Sequence, residues 1–249
     1  MPVTSNDAIW PQLPYEHWEP TKQTVHRYAQ IVGKVRMALV PFRNHWWHVT
    51  LYVSARGLTT GPMPCGDLTA EIEFDFIEHR LEVRTSQGRA AGFDLRERPA
   101  CADFFSQLFA TLAAVGVHVT IHPKPFDLGD SPPFESDTIN HSYDPDAVAR
   151  WWTILRLIDG VLARFGSSFA GKASPIGPVS HSFAARTGSW RWRPGSWWRQ
   201  GSRPTGSAPS ASAPAHKASP AGADAWQHAR RVMLGPWTSS PSWIRSRSW

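Results

Sequence analysis

Acidic residues are almost missing from the end of this 249-residue chain: after Gly171 the single carboxylate is Asp224, against 11 Lys and Arg in the same stretch. The first 171 residues carry 19 acids and 15 bases, so the overall net charge of +6 averages an acidic body and a basic tail of +10. Cysteine is equally scarce. Cys65 and Cys101 are too few for a disulfide framework or a zinc ribbon, and reduced thiols in a cytoplasm are the expectation. No run of about 18 apolar residues occurs, and the first residues lack both the basic and the apolar segment of a signal peptide. Neither a membrane span nor secretion is therefore expected. The motifs G-x-G-x-x-G, H-E-x-x-H, G-x-S-x-G and C-x-x-C are absent as well. One string, Gly166 to Lys172, matches the phosphate-loop spacing G-x-x-x-x-G-K. It is rejected, because a helical pattern rather than a strand precedes it, Ala173 replaces the magnesium-binding hydroxyl, and Pro175 blocks a following helix. No three or four His, Cys and carboxylates have ligand spacing, so no metal or other cofactor is expected; His45, His48 and His79 are the first ligands to test if zinc or iron were found.

What the chain does contain is patterned only up to about Gly171. The first 20 residues hold Pro2, Pro11, Pro14 and Pro20 and read as an extended arm docking by Trp10 and Trp18. Val25, Tyr28, Ile31, Val32, Val35 and Leu39 recur every three or four residues, which predicts a helix from about Thr21 to Leu39. Trp47 to Ser54 alternates large and polar side chains and predicts a half-buried strand. A hairpin follows: Ala70, Ile72, Phe74 and Phe76 alternate with Glu71, Glu73 and Asp75, and Leu81 and Val83 return between Arg80, Glu82 and Arg84. A two-residue loop at Glu78-His79 would pair Phe76 with Leu81, Phe74 with Val83, and Glu73 with Arg84, although Glu-His is a poor primed-turn sequence and a longer loop is compatible. The acidic row reads as a solvated sheet face, neutralised by Arg80 and Arg84, rather than as catalytic carboxylates.

Beyond the hairpin, a short strand at Gly92 to Leu95, a helix from Pro99 to Val115 closed by Gly116, and a strand from Val117 to His122 are predicted. Along that last strand Val117, Val119 and Ile121 face inward, and His118, Thr120 and His122 outward. A long Pro- and Asp-rich loop, Pro123 to Tyr143, is either a binding loop or a connector. Asp144-Pro145 then opens a helix to about Phe165. The fold class is α+β: a mostly antiparallel sheet of about five strands packed with three helices, because hairpin spacing excludes the crossovers of a parallel sheet.

Several strings, among them Gln30-Ile31-Val32-Gly33-Lys34-Val35-Arg36, Asn44-His45-Trp46-Trp47-His48-Val49, Phe74-Asp75-Phe76-Ile77-Glu78-His79-Arg80-Leu81 and Gly171-Lys172-Ala173-Ser174-Pro175, resemble a bacterial family, domain of unknown function 5996. The resemblance covers about residues 9 to 175. It implies a bacterial, cytosolic protein and brings no activity, substrate or catalytic residue with it.

The resemblance breaks off after Pro175. Residues 176–249 hold eight of the 14 Trp and almost no Ile, Leu or Val, and no helix or strand period survives. The chain is therefore divided into a domain at 1–175 and a basic low-complexity tail at 176–249, expected to be disordered. Arg191, Arg193, Arg199 and Arg203 alternate with Trp190, Trp192, Trp197 and Trp198, which suits phosphate contacts and base stacking. A frame change in a GC-rich gene yields the same composition, and the break inside a family motif favours that origin. Either way the tail attracts polyanions without specificity.

Function is less legible. The densest chemistry lies around Arg43, Asn44, His45, Trp46, Trp47, His48 and Arg56, which form a candidate pocket: Trp for aromatic walls, Arg for an anionic group, His for acid-base work. A small-molecule-binding or enzymatic domain is the first reading. A structural or protein-interaction domain using the same side chains for packing is the second, and nucleic-acid contact through the tail is the third.

Overall fold

The computed structural model describes residues 10–43, 46–126, 128, 129 and 131–167. Helix α1 (Tyr15–Leu39) runs through the middle of the fold, and almost every residue from Thr24 to Arg36 is buried. An antiparallel sheet follows from β1 (Tyr52–Val53), β2 (Gly57–Thr59), β3 (Met63–Cys65), β4 (Leu68–Asp75), β5 (Arg80–Thr85) and β6 (Ala90–Asp94). The strand order is β1-β2-β4-β5-β6, and β3 pairs with β4 beside β2, so β2 and β3 act as two pieces of one interrupted strand. Helices α2 (Cys101–Ala114) and α3 (Pro145–Gly166) complete the α+β arrangement.

The core sits between one sheet face and the helices. Ala70, Ile72 and Phe74 of β4 and Leu81 and Val83 of β5 point inward to Tyr28, Ile31, Val35, Phe104 and Leu108. Tyr28 stacks on Phe104 with centroids 3.9 Å apart, and Phe74 stacks on the same ring from 6.1 Å. Aromatic stacking of this kind adds about 1 kcal/mol per pair beyond area burial.

Four expectations are corrected. The N-terminal arm is helical from Tyr15, not extended to Pro20. Pro20 lacks the N–H that would bond the Glu16 carbonyl, a cost of about 3 kcal/mol in a helix interior. Burial of Trp18 against Trp151, with centroids 5.8 Å apart, offsets that cost. Second, the stretch predicted as a strand from Trp47 to Ser54 is a strand only at Tyr52–Val53, because Trp46 to Val49 make a turn closed by the Val49 N–H on the Trp46 carbonyl at 3.0 Å.

Third, the β4–β5 hairpin has a four-residue loop. Phe74 faces Leu81, Ile72 faces Val83 and Glu71 faces Arg84, a register two residues away from the expected one. Asp75 causes this: its Oδ1 accepts the N–H groups of Ile77 and Glu78 at 2.9 and 3.0 Å, and His79 turns the chain back with φ +52°. A two-residue slip keeps the side-chain parity, so every inward residue stayed inward. Fourth, Val117 to His122 pairs with no strand among the described residues, although its burial alternates as expected.

The long loop after it wraps around α1. The Gln30 carboxamide accepts from the Phe126 N–H and donates to the Phe126 carbonyl, both at 2.9 Å. Arg27 Nε lies 3.2 Å from Asp137 Oδ2, and Asp137 is fully buried while its Oδ1 also accepts the N–H groups of Ile139 and Asn140. The residues from Ser168 onward, including the rejected phosphate-loop string beyond Ser167 and the basic tail, lie outside the described residues, as do residues 1–9.

Candidate functional site

The last turns of α1 bring Arg36 beneath the segment that carries the candidate pocket. Arg36 is buried, and its Nη1 donates to the Trp47 carbonyl at 3.1 Å and to the Thr50 carbonyl. Its guanidinium lies over the Tyr52 ring, 4.9 Å from the centroid, and the Tyr52 hydroxyl donates to the same Trp47 carbonyl at 3.4 Å. One buried guanidinium, donating twice from Nη1, thus holds both ends of the 46–50 turn, while its plane lies over the Tyr52 ring as a lysine ammonium's cannot.

Held this way, the turn presents aromatic rings to solvent. Trp46 adopts φ +61°, a conformation uncommon outside glycine, and is 41% exposed; Phe42 is 69% exposed. Trp46 stacks on the His48 ring at 5.5 Å, and Phe42 meets Trp46 and His48 edge-on at 5.7 and 5.0 Å. His48 itself is buried, and its Nδ1 accepts the Arg43 N–H at 3.3 Å, which puts the ring proton on Nε2. Burial holds its pKa below the usual histidine value, and the positive charges of Arg36 and Arg43 add to the effect. His48 is accordingly a neutral donor at pH 7.

Of the residues proposed from sequence, Arg43, Trp46 and His48 come together here, and Trp47 contributes its carbonyl to the support beneath. Asn44 and His45 lie outside the described residues. Arg56 is engaged elsewhere. Its Nε donates to Asp75 Oδ2 at 2.5 Å on the outer face of the sheet, and its Nη2 is 3.9 Å from Glu78. Burial opposes the charge on Asp75, but the N–H groups of Glu78 and Ile77 and the Arg56 guanidinium outweigh it and hold the carboxyl below the ordinary range. Sequence reasoning missed Phe42 and Arg36. Arg36 left a signal, a lone arginine at an otherwise apolar helix end; Phe42 left none beyond its adjacency to Arg43.

The other clusters are satisfied. Thr59 donates to Glu71, Ser54 and Arg84 share Glu73 at 2.7 Å each, and Arg84 also pairs with Glu82, so the acidic row is a neutralised sheet face. Among the described residues no group of three His, Cys, Asp or Glu is placed to hold a metal ion. His79 Nδ1 lies 2.9 Å from the Tyr143 hydroxyl, and both side chains are buried, tying the hairpin loop to the start of α3. Both cysteines are free thiols; Cys101 is buried, which pushes its pKa up to about 12.

The geometry defines an α+β domain built on a six-stranded antiparallel sheet with an exposed aromatic turn at one end of its central helix. The chain belongs to the family of unknown function DUF5996, whose pattern matches residues 10–199, past the Pro175 at which the resemblance read from the sequence breaks off. No curated protein and no solved structure matches it. Among the described residues no helix is long and apolar enough to cross a membrane.

Proposed function

We propose that this domain binds a planar, anionic small molecule on the Phe42–Trp46–His48 cluster. The observation that carries this reading is the exposure of two large aromatic rings, Phe42 and Trp46, that meet each other and His48, the second of them on a turn whose carbonyls a buried arginine holds. Exposed aromatic groups of this kind mark binding surfaces, and a ring held in place stacks on a ligand at little entropic cost. The anionic preference follows from the charges acting on His48: Arg36 below and Arg43 beside it are both cations. His48 adds a neutral N–H donor. The anion-binding role considered for Arg56 passes to Arg43, since Asp75 already occupies the Arg56 guanidinium. Two free, unbridged cysteines support a cytoplasmic setting.

Thermal-shift and ligand-observed NMR titrations with nucleoside monophosphates and aromatic carboxylates test the proposal. Phe42→Ala and Arg43→Ala should each remove the response while leaving the melting temperature of the free protein nearly unchanged, because both side chains are exposed. A response that survives both substitutions, or that Arg56→Ala alone removes, refutes the assignment.

A further inference from the structure

Arg27, Gln30 and Lys34 stand at i, i+3 and i+7 on α1 and form one stripe along the helix. All three are buried. The loop after Pro123 gives partners to the first two: Asp137 and Ser131 meet Arg27, and the Phe126 backbone meets Gln30. Lys34 receives none. Among the described residues no hydrogen bond or ion pair reaches its amine, although only 7% of the residue is exposed.

Water still touches that amine. Among the described residues the side-chain nitrogens that are fully buried without a hydrogen bond are Trp18 Nε1, Arg27 Nε, Arg36 Nε and Trp152 Nε1, and Lys34 Nζ is not one of them. Lys22, half-buried near the start of α1, has Glu19 to oppose the cost of burying its charge. Lys34 has no such acid, and burial alone holds its pKa below the usual lysine value. Buried charges are paired in native folds, and one that cannot pair is pushed toward its neutral form. For lysine that form is the free amine, a nucleophile.

We propose that Lys34 is a covalent binding site for a small carbonyl compound, an aldehyde or ketone, which it holds as an imine. The Nζ lone pair adds to the carbonyl carbon, so that a C–N bond forms as the C=O π bond opens, and one amine proton passes to the oxygen. The resulting hydroxyl and the second amine hydrogen leave as water, and the C=N bond remains. No oxidant or reductant takes part. The narrow exposure of the amine restricts the compound to a small one. A bound anion fits the site less well, because anion recognition needs converging donors and the Gln30 carboxamide one turn away is already committed to Phe126. The inference is independent of the aromatic cluster: Arg36, which supports that cluster, lies two residues further on, about 200° around the helix.

Reductive trapping on the full chain tests it. With acetaldehyde and cyanoborohydride near neutral pH, followed by peptide mass spectrometry, Lys34 should be N-ethylated ahead of Lys124, although Lys124 is exposed and Lys34 is buried. Lowering the pH from about 9 to about 7 cuts the free-amine fraction of an ordinary lysine ~100-fold, and the Lys34 rate should fall by less than that. Lys34→Met should remove the fast adduct and leave labelling of Lys124 unchanged. A Lys34 that reacts more slowly than Lys124, or with the same pH dependence, is a lysine with a buried stem and an ordinary ammonium in water, and that result overturns the proposal. Both lysines are read in one wild-type sample, so the decision stands even where the Met variant fails to fold.

Discussion

Arg36 carries more of the local architecture than any other single side chain near the candidate site. Buried and spread over two carbonyls and the face of Tyr52, it gains from hydrogen bonds to a charged group, each worth about 1.5–3 kcal/mol when the alternative is an unsatisfied buried acceptor. Arg36→Lys should therefore lower stability by about 2 kcal/mol or more in urea unfolding, and should loosen the Trp46 ring, seen as a red-shifted or more quenchable tryptophan emission. An unchanged denaturation midpoint would contradict the role assigned to the guanidinium. Half-buried His26 and buried His48 and His79 make a second residue-scale prediction. Burial lowers the pKa of His26 to about 4, with the cations Arg27 and Lys22 contributing, and lowers those of His48 and His79 as well. A lowered pKa means that the unfolded chain binds protons more readily, so this stabilisation is complete above the unfolded value of about 6.5 and is lost as pH falls toward 4. His26 alone accounts for about 3 kcal/mol at the end of that range. Melting temperature should fall steadily between pH 6.5 and 4, and His26→Leu should flatten part of that fall.

At the level of elements, the polar side of α1 and the long loop depend on one another. The loop covers Gln30 and Arg27 and so takes them out of water, and the Phe126 backbone and Asp137 of the same loop supply the partners that their burial requires. Asp137→Asn leaves the Arg27 charge uncompensated in the interior, and breaking such a pair typically costs about 3–5 kcal/mol. The expected outcome is a large loss of stability together with faster proteolytic cleavage between 123 and 143. Arg27→Met combined with Asp137→Asn should recover part of the loss, because no buried charge then remains. A double variant as unstable as the single one would mean that the carboxylate acts through its Ile139 and Asn140 contacts instead. The sheet shows the same interdependence on its outer face, where Arg84 joins Glu73 to Glu82; its side chain is 43% exposed, so solvent screening leaves that pair a small contribution.

For the whole molecule, charge separation is the dominant feature. A net charge of −4 over residues 1–171 and of +10 over residues 172–249 will give the full chain an affinity for polyanions that falls steeply with salt. Replacing Trp190, Trp192, Trp197 and Trp198 by Ala leaves the charge untouched. If attraction is purely electrostatic, binding to an oligothymidylate measured by fluorescence anisotropy should be unchanged by these substitutions; a loss of about 1 kcal/mol or more per Trp would establish base stacking and favour a functional tail.

How much of this was readable in the chain follows from the range of the forces concerned. Periodicity in sequence determined the three helices, the antiparallel sheet and the inward rows of β4 and β5, because burial of an apolar face acts residue by residue and survives errors of register. The rejected motifs and the divided charge were equally local properties. Tertiary structure alone decided that Trp46 to Val49 would turn instead of extend, since the cause, Arg36, lies ten residues before Trp46 and its partners are carbonyls that any sequence possesses. It also decided that Arg56 faces Asp75 and not the histidines, and that Val117 to His122 pairs with no strand among the described residues. Pairing partners are set by which backbones meet in space, and backbone hydrogen bonds leave no mark in the side-chain pattern.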